Sequence, residues 1–125
     1  MNLLQPPAPT YPWRRPKPDE DVLWRAEGKR YSYVIDADSD HFGTTPLQVE
    51  MHWYPVTKRT PCGAWIGDKF VRLTARKRWA CNTEKEALES YAARKKRQIS
   101  IYEARLVEAK RGLTIAEHAI TKENP

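Results

Sequence analysis

The sequence predicts an α+β fold, with an N-terminal antiparallel sheet of about five or six short strands followed by one long or two C-terminal helices that mediate oligomerisation. Three observations predict it. Apolar and polar residues alternate over much of 21–80, a capping signal stands at Thr83, and apolar residues then recur at 4-3 spacing as far as Ile120. At 125 residues, 40% hydrophobic and 30% charged, the chain suits one small domain plus a flexible segment. Residues 1–20 are expected as a Pro-rich extended arm and 21–121 as a single domain, with 21–81 in the sheet and 83–121 helical.

Six of the ten prolines fall within residues 6–18, where a missing donor and a fixed φ oppose both helix and ladder. This arm reads either as a disordered tail or as a strap that Tyr11 and Trp13 anchor on a neighbouring surface or subunit. Next, VLWRAE and RYSYVID flank the turn-capable Glu27-Gly28-Lys29, which predicts a hairpin. Leu47, Val49, Met51 and Trp53 repeat the period of two, and Pro55 marks a strand end or an edge. AWIG and FVRLTA follow the turn-prone KRTPCG, with Trp65 expected in the core.

Thr83 and Glu86 form a T-x-x-E capping box preceded by Asn82, so a helix begins here. Its seam runs Leu88, Ala92, Ile99, Tyr102, Leu106, Ala109, Leu113, Ala116 and Ile120, interrupted by Lys95. Gly112, with a second T-x-x-E at Thr114 and Glu117, allows a break or bend. A rod this long outruns short strands, so its excess seam requires a second copy or a fold-back, and self-association is the favoured reading.

The two cysteines form no CxxC, the N-terminus lacks an apolar leader segment, and no apolar run approaches the roughly 20 residues of a membrane span. A cytoplasmic protein with reduced thiols and no membrane partner is expected. Asp36, Asp38, Asp40 and His41 resemble the start of a calcium loop, but His41 stands where a glycine is needed and Leu47 where a bidentate glutamate is needed. His41, His52 and His118 share no metal-ligand spacing, and no nucleophile or phosphate-loop motif is present. The expectation is therefore no metal, no cofactor and no enzymatic activity.

Charge is more informative. Residues 1–60 are balanced, whereas Lys69 to Arg97 hold ten basic side chains against Glu84, Glu86 and Glu89. Arg76-Lys77-Arg78-Trp79 runs directly into the capped helix, combining cations for phosphate, an indole for stacking and a helix start with free donors. Tyr91, Arg94, Gln98 and Arg105 share a stripe at 3-4 spacing and complete the candidate ligand-binding set. Ordinary core burial of Trp79 and a solvated helix stripe are the competing structural readings. Long nucleic acid is less favoured, because acidic residues interleave the basic ones and no helix-turn-helix, zinc finger or basic zipper accompanies them.

The run TPCGAWIG and the following KFVRLTARKRWACNTEKEALESYAARKKRQISIYEARLVEAKRGL, roughly residues 60–113, resemble small bacteriophage proteins. They are most similar to the phage Thoeris anti-defence family of sponges, which sequester cyclic ADP-ribose-type signals or cyclic oligonucleotides without cleaving them. The resemblance implies immune evasion through a cyclic nucleotide ligand, assembly as dimers that build hexamers, and pockets formed partly at subunit interfaces. It points to Arg76, Lys77, Arg78, Trp79, Arg94, Lys95 and Gln98 as motif positions. The alternatives are an anti-CRISPR-like inhibitor acting by protein-protein contact and a small basic nucleic-acid-binding accessory protein.

Overall fold

A computed structural model describes residues 6–36, 38 and 41–123. Among the described residues seven strands precede one helix: β1 (Val22–Lys29), β2 (Ser32–Asp36), β3 (His41–Thr44), β4 (Gln48–Pro55), β5 (Lys58–Thr60), β6 (Gly63–Ile66), β7 (Lys69–Arg72) and α1 (Glu84–Glu123). The fold is thus α+β, strands first. Its strands divide among three antiparallel sheets, β1-β4, β2-β3 and β5-β6-β7. The chain separates into two compact units, residues 1–91 with every strand and the start of α1, and residues 92–125 with the remainder of that helix.

In the first unit, β1 divides two cores because its side chains alternate across the strand. Val22, Trp24 and Ala26 join Met51, Trp53, Cys81 and Ala87 in one cluster, with Val49, Leu88 and Tyr91 packed against it. On the other face Leu23 joins Ala64, Val71 and Ala80, flanked by Val56, Ile66, Leu73 and Trp79. Apolar side chains thus pack against both faces of β1 and hold it from two sides.

The predicted hairpin does not form. β1 runs through Gly28 to Lys29 and pairs with β4 in the register Trp24 with Trp53 and Gly28 with Val49, while β2 pairs with β3. Gly28 serves close approach here instead of a turn: a Cβ would stand 2.6 Å from the Tyr91 hydroxyl oxygen and 3.2 Å from Leu47 Cδ1. Pro55 ends β4, as its missing donor requires. Trp65 departs from its expected core position. Ala64 takes the inward place on β6, and Trp65 lies outward at 37% exposure beside Phe70, with ring centroids 5.2 Å apart.

The arm packs on its own unit. Thr10 N–H donates to Val49 O and Thr10 O accepts from Met51 N–H, both at 2.8 Å, which adds a parallel bridge to β4. Trp13 lies 4.7 Å from the His52 ring, and Trp53 Nε1 donates to Arg14 O at 2.7 Å. Proline-rich backbone suits this role, because an arm needs few ladder donors. Tyr11 and Arg15 of the arm reach the helix start, where Glu84 accepts from Tyr11 Oη at 2.6 Å and from Arg15 Nη1 at 2.9 Å.

α1 begins as the capping signal requires, with Glu86 N–H donating to Thr83 Oγ1 at 3.1 Å. The reciprocal half of the box is absent among the described residues, because the Glu86 carboxylate instead accepts from Arg78 Nη1 at 2.8 Å. Arg59 secures the approach to the helix, donating twice to Asp21 at 2.6 and 2.9 Å and once to Asn82 Oδ1 at 2.6 Å. That paired guanidinium holds the Asp21 carboxyl below its ordinary pKa. Helical hydrogen bonding continues past Gly112 to Glu123, so the break allowed by the sequence is not taken. No helix of the described residues is long and apolar enough to cross a membrane.

Candidate functional site

Trp79 is placed by backbone pairing immediately beyond it. Cys81 and Trp24 exchange two backbone hydrogen bonds of 2.7 Å, which lays the segment before α1 against the edge of β1 not used by β4. Ala80 and Cys81 are thereby buried, and the half-buried Trp79 borders the second core. Core packing therefore explains part of this residue, but its ring faces have other company.

The Arg25 guanidinium carbon lies 4.6 Å from the Trp79 ring centroid and the Lys69 ammonium nitrogen 3.3 Å from it. Arg25 also donates from Nη1 to Trp79 O at 2.6 Å and from Nε to Glu27 Oε1 at 2.9 Å, so it is fixed at three points. Lys69 is exposed on β7, on a long flexible stem. Tyr54 approaches the indole with centroids 5.1 Å apart. Two cations against one indole create a locally positive surface around a flat aromatic group.

The other predicted residues divide. Arg76 and Lys77 are exposed in the irregular segment between β7 and α1, and neither enters an ion pair among the described residues. Arg78 is held by Glu86, while its carbonyl accepts from Ser90 Oγ at 3.4 Å. Tyr91 packs against the first core. In the second unit, Gln98 accepts from Lys95 Nζ and donates to Tyr102 Oη, both at 3.0 Å, Arg94 is half-buried and Arg105 is exposed. The helix start is less receptive to an anion than its motif suggests, because Glu84 and Glu86 occupy its first turn and Thr83 caps it.

A polar cluster around the buried Glu50 and His52 was not anticipated. His52 Nε2 lies 3.1 Å from Glu50 Oε1 and its Nδ1 lies 3.8 Å from Glu27 Oε2, while Tyr31 Oη donates to the other Glu50 oxygen. The Tyr31 bond, reinforced by His52 against the opposing effect of burial, brings Glu50 below its ordinary pKa. Burial pushes Glu27 upward, but the Arg25 bond and charge, with His52 and Lys29, outweigh it and leave its pKa lowered. The alternation Glu50-Met51-His52-Trp53 carried a signal for this cluster, since polar residues at every second place of a strand share one face. Nothing local announced Arg25 as a neighbour of Trp79, because it arrives from β1, and Lys69 reaches the ring from the start of β7, too far along the chain for its spacing to signal the contact. Asp38 N–H donates to Asp36 Oδ1 at 3.0 Å, a local turn, and Asp40 of the weighed calcium loop lies outside the described residues.

Comparison with protein-family models, with curated proteins and with solved structures finds no match to this chain.

Proposed function

We propose that the protein is a phage anti-defence protein that binds and sequesters a small cyclic nucleotide signal without cleaving it. One observation carries the binding reading: the Trp79 indole is flanked by Arg25 and Lys69, and the same segment presents Arg76 and Lys77 without ion-pair partners among the described residues. A purine can take the place of the Lys69 ammonium over the ring, since that side chain is exposed and flexible. Lys69 then remains at the rim of the base, with Arg76 and Lys77 to meet phosphate through charge-assisted hydrogen bonds. Arg25 stays on the indole, because Glu27 and the Trp79 carbonyl hold it. Arg78 is assigned to structure, not to ligand, because Glu86 neutralises it.

Sequestration requires only that binding be tight relative to the receptor's working range, so no catalytic group is needed. The resemblance of residues 60–113 to the Thoeris anti-defence family supports the cyclic ligand and the cytoplasm of an infected bacterium as its place of action. Arg76→Ala combined with Lys77→Ala tests this by titrating tryptophan fluorescence with cyclic ADP-ribose isomers and cyclic dinucleotides. The expected outcome is affinity weakened by about tenfold or more with an unchanged melting temperature, since both side chains are exposed and make no ion pair among the described residues. Unchanged affinity for a ligand that binds the parent protein removes the phosphate contacts from this segment.

A further inference from the structure

Ile99, Leu106, Leu113 and Ile120 recur every seven residues along α1 and are 54–60% exposed. With Tyr102, Ala109 and Ala116 between them, they form a coiled-coil seam within the second unit. An apolar stripe of this spacing left in water carries a standing free-energy cost, which a partner with the same stripe removes. The flanking charges specify that partner.

One flank of the seam reads Lys96, Glu103, Lys110 and Glu117, alternating in sign at every heptad. The other flank carries one charge, Arg105, followed by Gly112 and Ala119. Parallel helices set unlike flanks together, which brings Lys110 against Arg105 of a second copy and stacks Lys95 on its own copy in the seam. Antiparallel helices set each flank against itself, which brings Arg105 near its own copy at the two-fold axis, a single like-charge approach that the opposite-charge pairs of the other flank outnumber. Centred near Leu106, the alternating flank then meets its reversed copy as Lys96 with Glu117 and Glu103 with Lys110, each pair occurring twice by two-fold symmetry. Sliding one helix by a single heptad turns every such pair into glutamate on glutamate or lysine on lysine, so the charges specify register as well as direction.

We infer that the exposed face of α1 between residues 95 and 120 is a homodimer interface, formed by antiparallel pairing with the same segment of a second copy. This interface is independent of any ligand at Trp79. The test is sedimentation equilibrium on the full chain and three variants, with circular dichroism as the control for folding. The parent should be dimeric at micromolar concentration, and Leu106→Glu should be monomeric with unchanged helicity, since that side chain is exposed in the single chain. Lys110→Glu should weaken the dimer by about tenfold by facing Glu103 of the second copy, and adding Glu103→Lys should restore it. A parallel dimer responds in the opposite way, because Lys110→Glu then faces Arg105 and tightens it. A parent that stays monomeric at hundreds of micromolar overturns the inference and assigns the stripe to a different partner. A dimer that survives Leu106→Glu, one that Lys110→Glu tightens, or one that the double reversal fails to restore also overturns it.

Discussion

At the scale of single residues, close approach and charge pairing decide more than propensity. A Cβ on Gly63 would stand 2.0 Å from the Val71 carbonyl oxygen, a backbone atom that cannot swing aside as a side chain can. Gly63→Ala should therefore cost about 2 kcal/mol or more by forcing β6 and β7 apart, seen as a lowered midpoint in urea. A midpoint unchanged from the parent would mean that the two strands yield freely. Glu50 gives a prediction with a definite sign. Its folded pKa is lowered, first by the Tyr31 hydrogen bond, so its stabilisation is whole above the unfolded carboxylate value of about 4.3 and is lost as pH falls through the folded value. Tyr31 is shifted upward by the same bond, so the corresponding loss on the alkaline side begins above pH about 10. Melting temperatures measured across pH should thus fall below about 4 in the parent, and Glu50→Gln should flatten that acid limb. An acid limb of equal steepness in the variant would place the acid-sensitive group elsewhere.

At the scale of elements, what was legible depended on how local its cause is. The start of α1 was legible because Thr83, three residues before Glu86, supplies the hydrogen bond that the helix needs. Thr83→Ala should cost about 1 kcal/mol in chemical denaturation, and replacement by Ser should recover most of it. Full stability in the alanine variant would show that Glu84, Glu86 and their partners suffice to begin the helix. Pairing between strands was less legible, since β1 and β4 meet across the eighteen residues 30–47 and nothing near Gly28 distinguishes a turn from a close approach. For the same reason Trp65 suggested a core residue, although Ala64 beside it takes the inward place. The arm carried its anchors in sequence, Tyr11 and Trp13, but not their destination: β4 and the first turn of α1 receive it. The unbroken course of α1 past Gly112 follows from a residue that weakens a helix by about 1 kcal/mol without forbidding it.

For the whole molecule, the basic excess of the sequence resolves into separate uses. Arg59 and Arg78 are spent on Asp21 and Glu86, and Arg25 is shared between Glu27 and Trp79. Lys69, Arg76 and Lys77 have no ion pair among the described residues, and they are the cations the functional reading relies on. Half of this candidate site was legible, because Arg76, Lys77 and Trp79 fall within four consecutive positions. Arg25, Tyr54 and Lys69 became visible only when folding brought three different strands to one indole. The most direct measurement is calorimetry of the purified protein against cyclic ADP-ribose isomers and cyclic di- and trinucleotides, followed by heat release and identification of the ligand. Saturable binding of one cyclic nucleotide, recovered intact, is the predicted result, and at a hundred times its Kd that ligand should add about 2.7 kcal/mol of stability. Absence of binding across the panel, or recovery of a cleaved product, would contradict sequestration of a cyclic nucleotide.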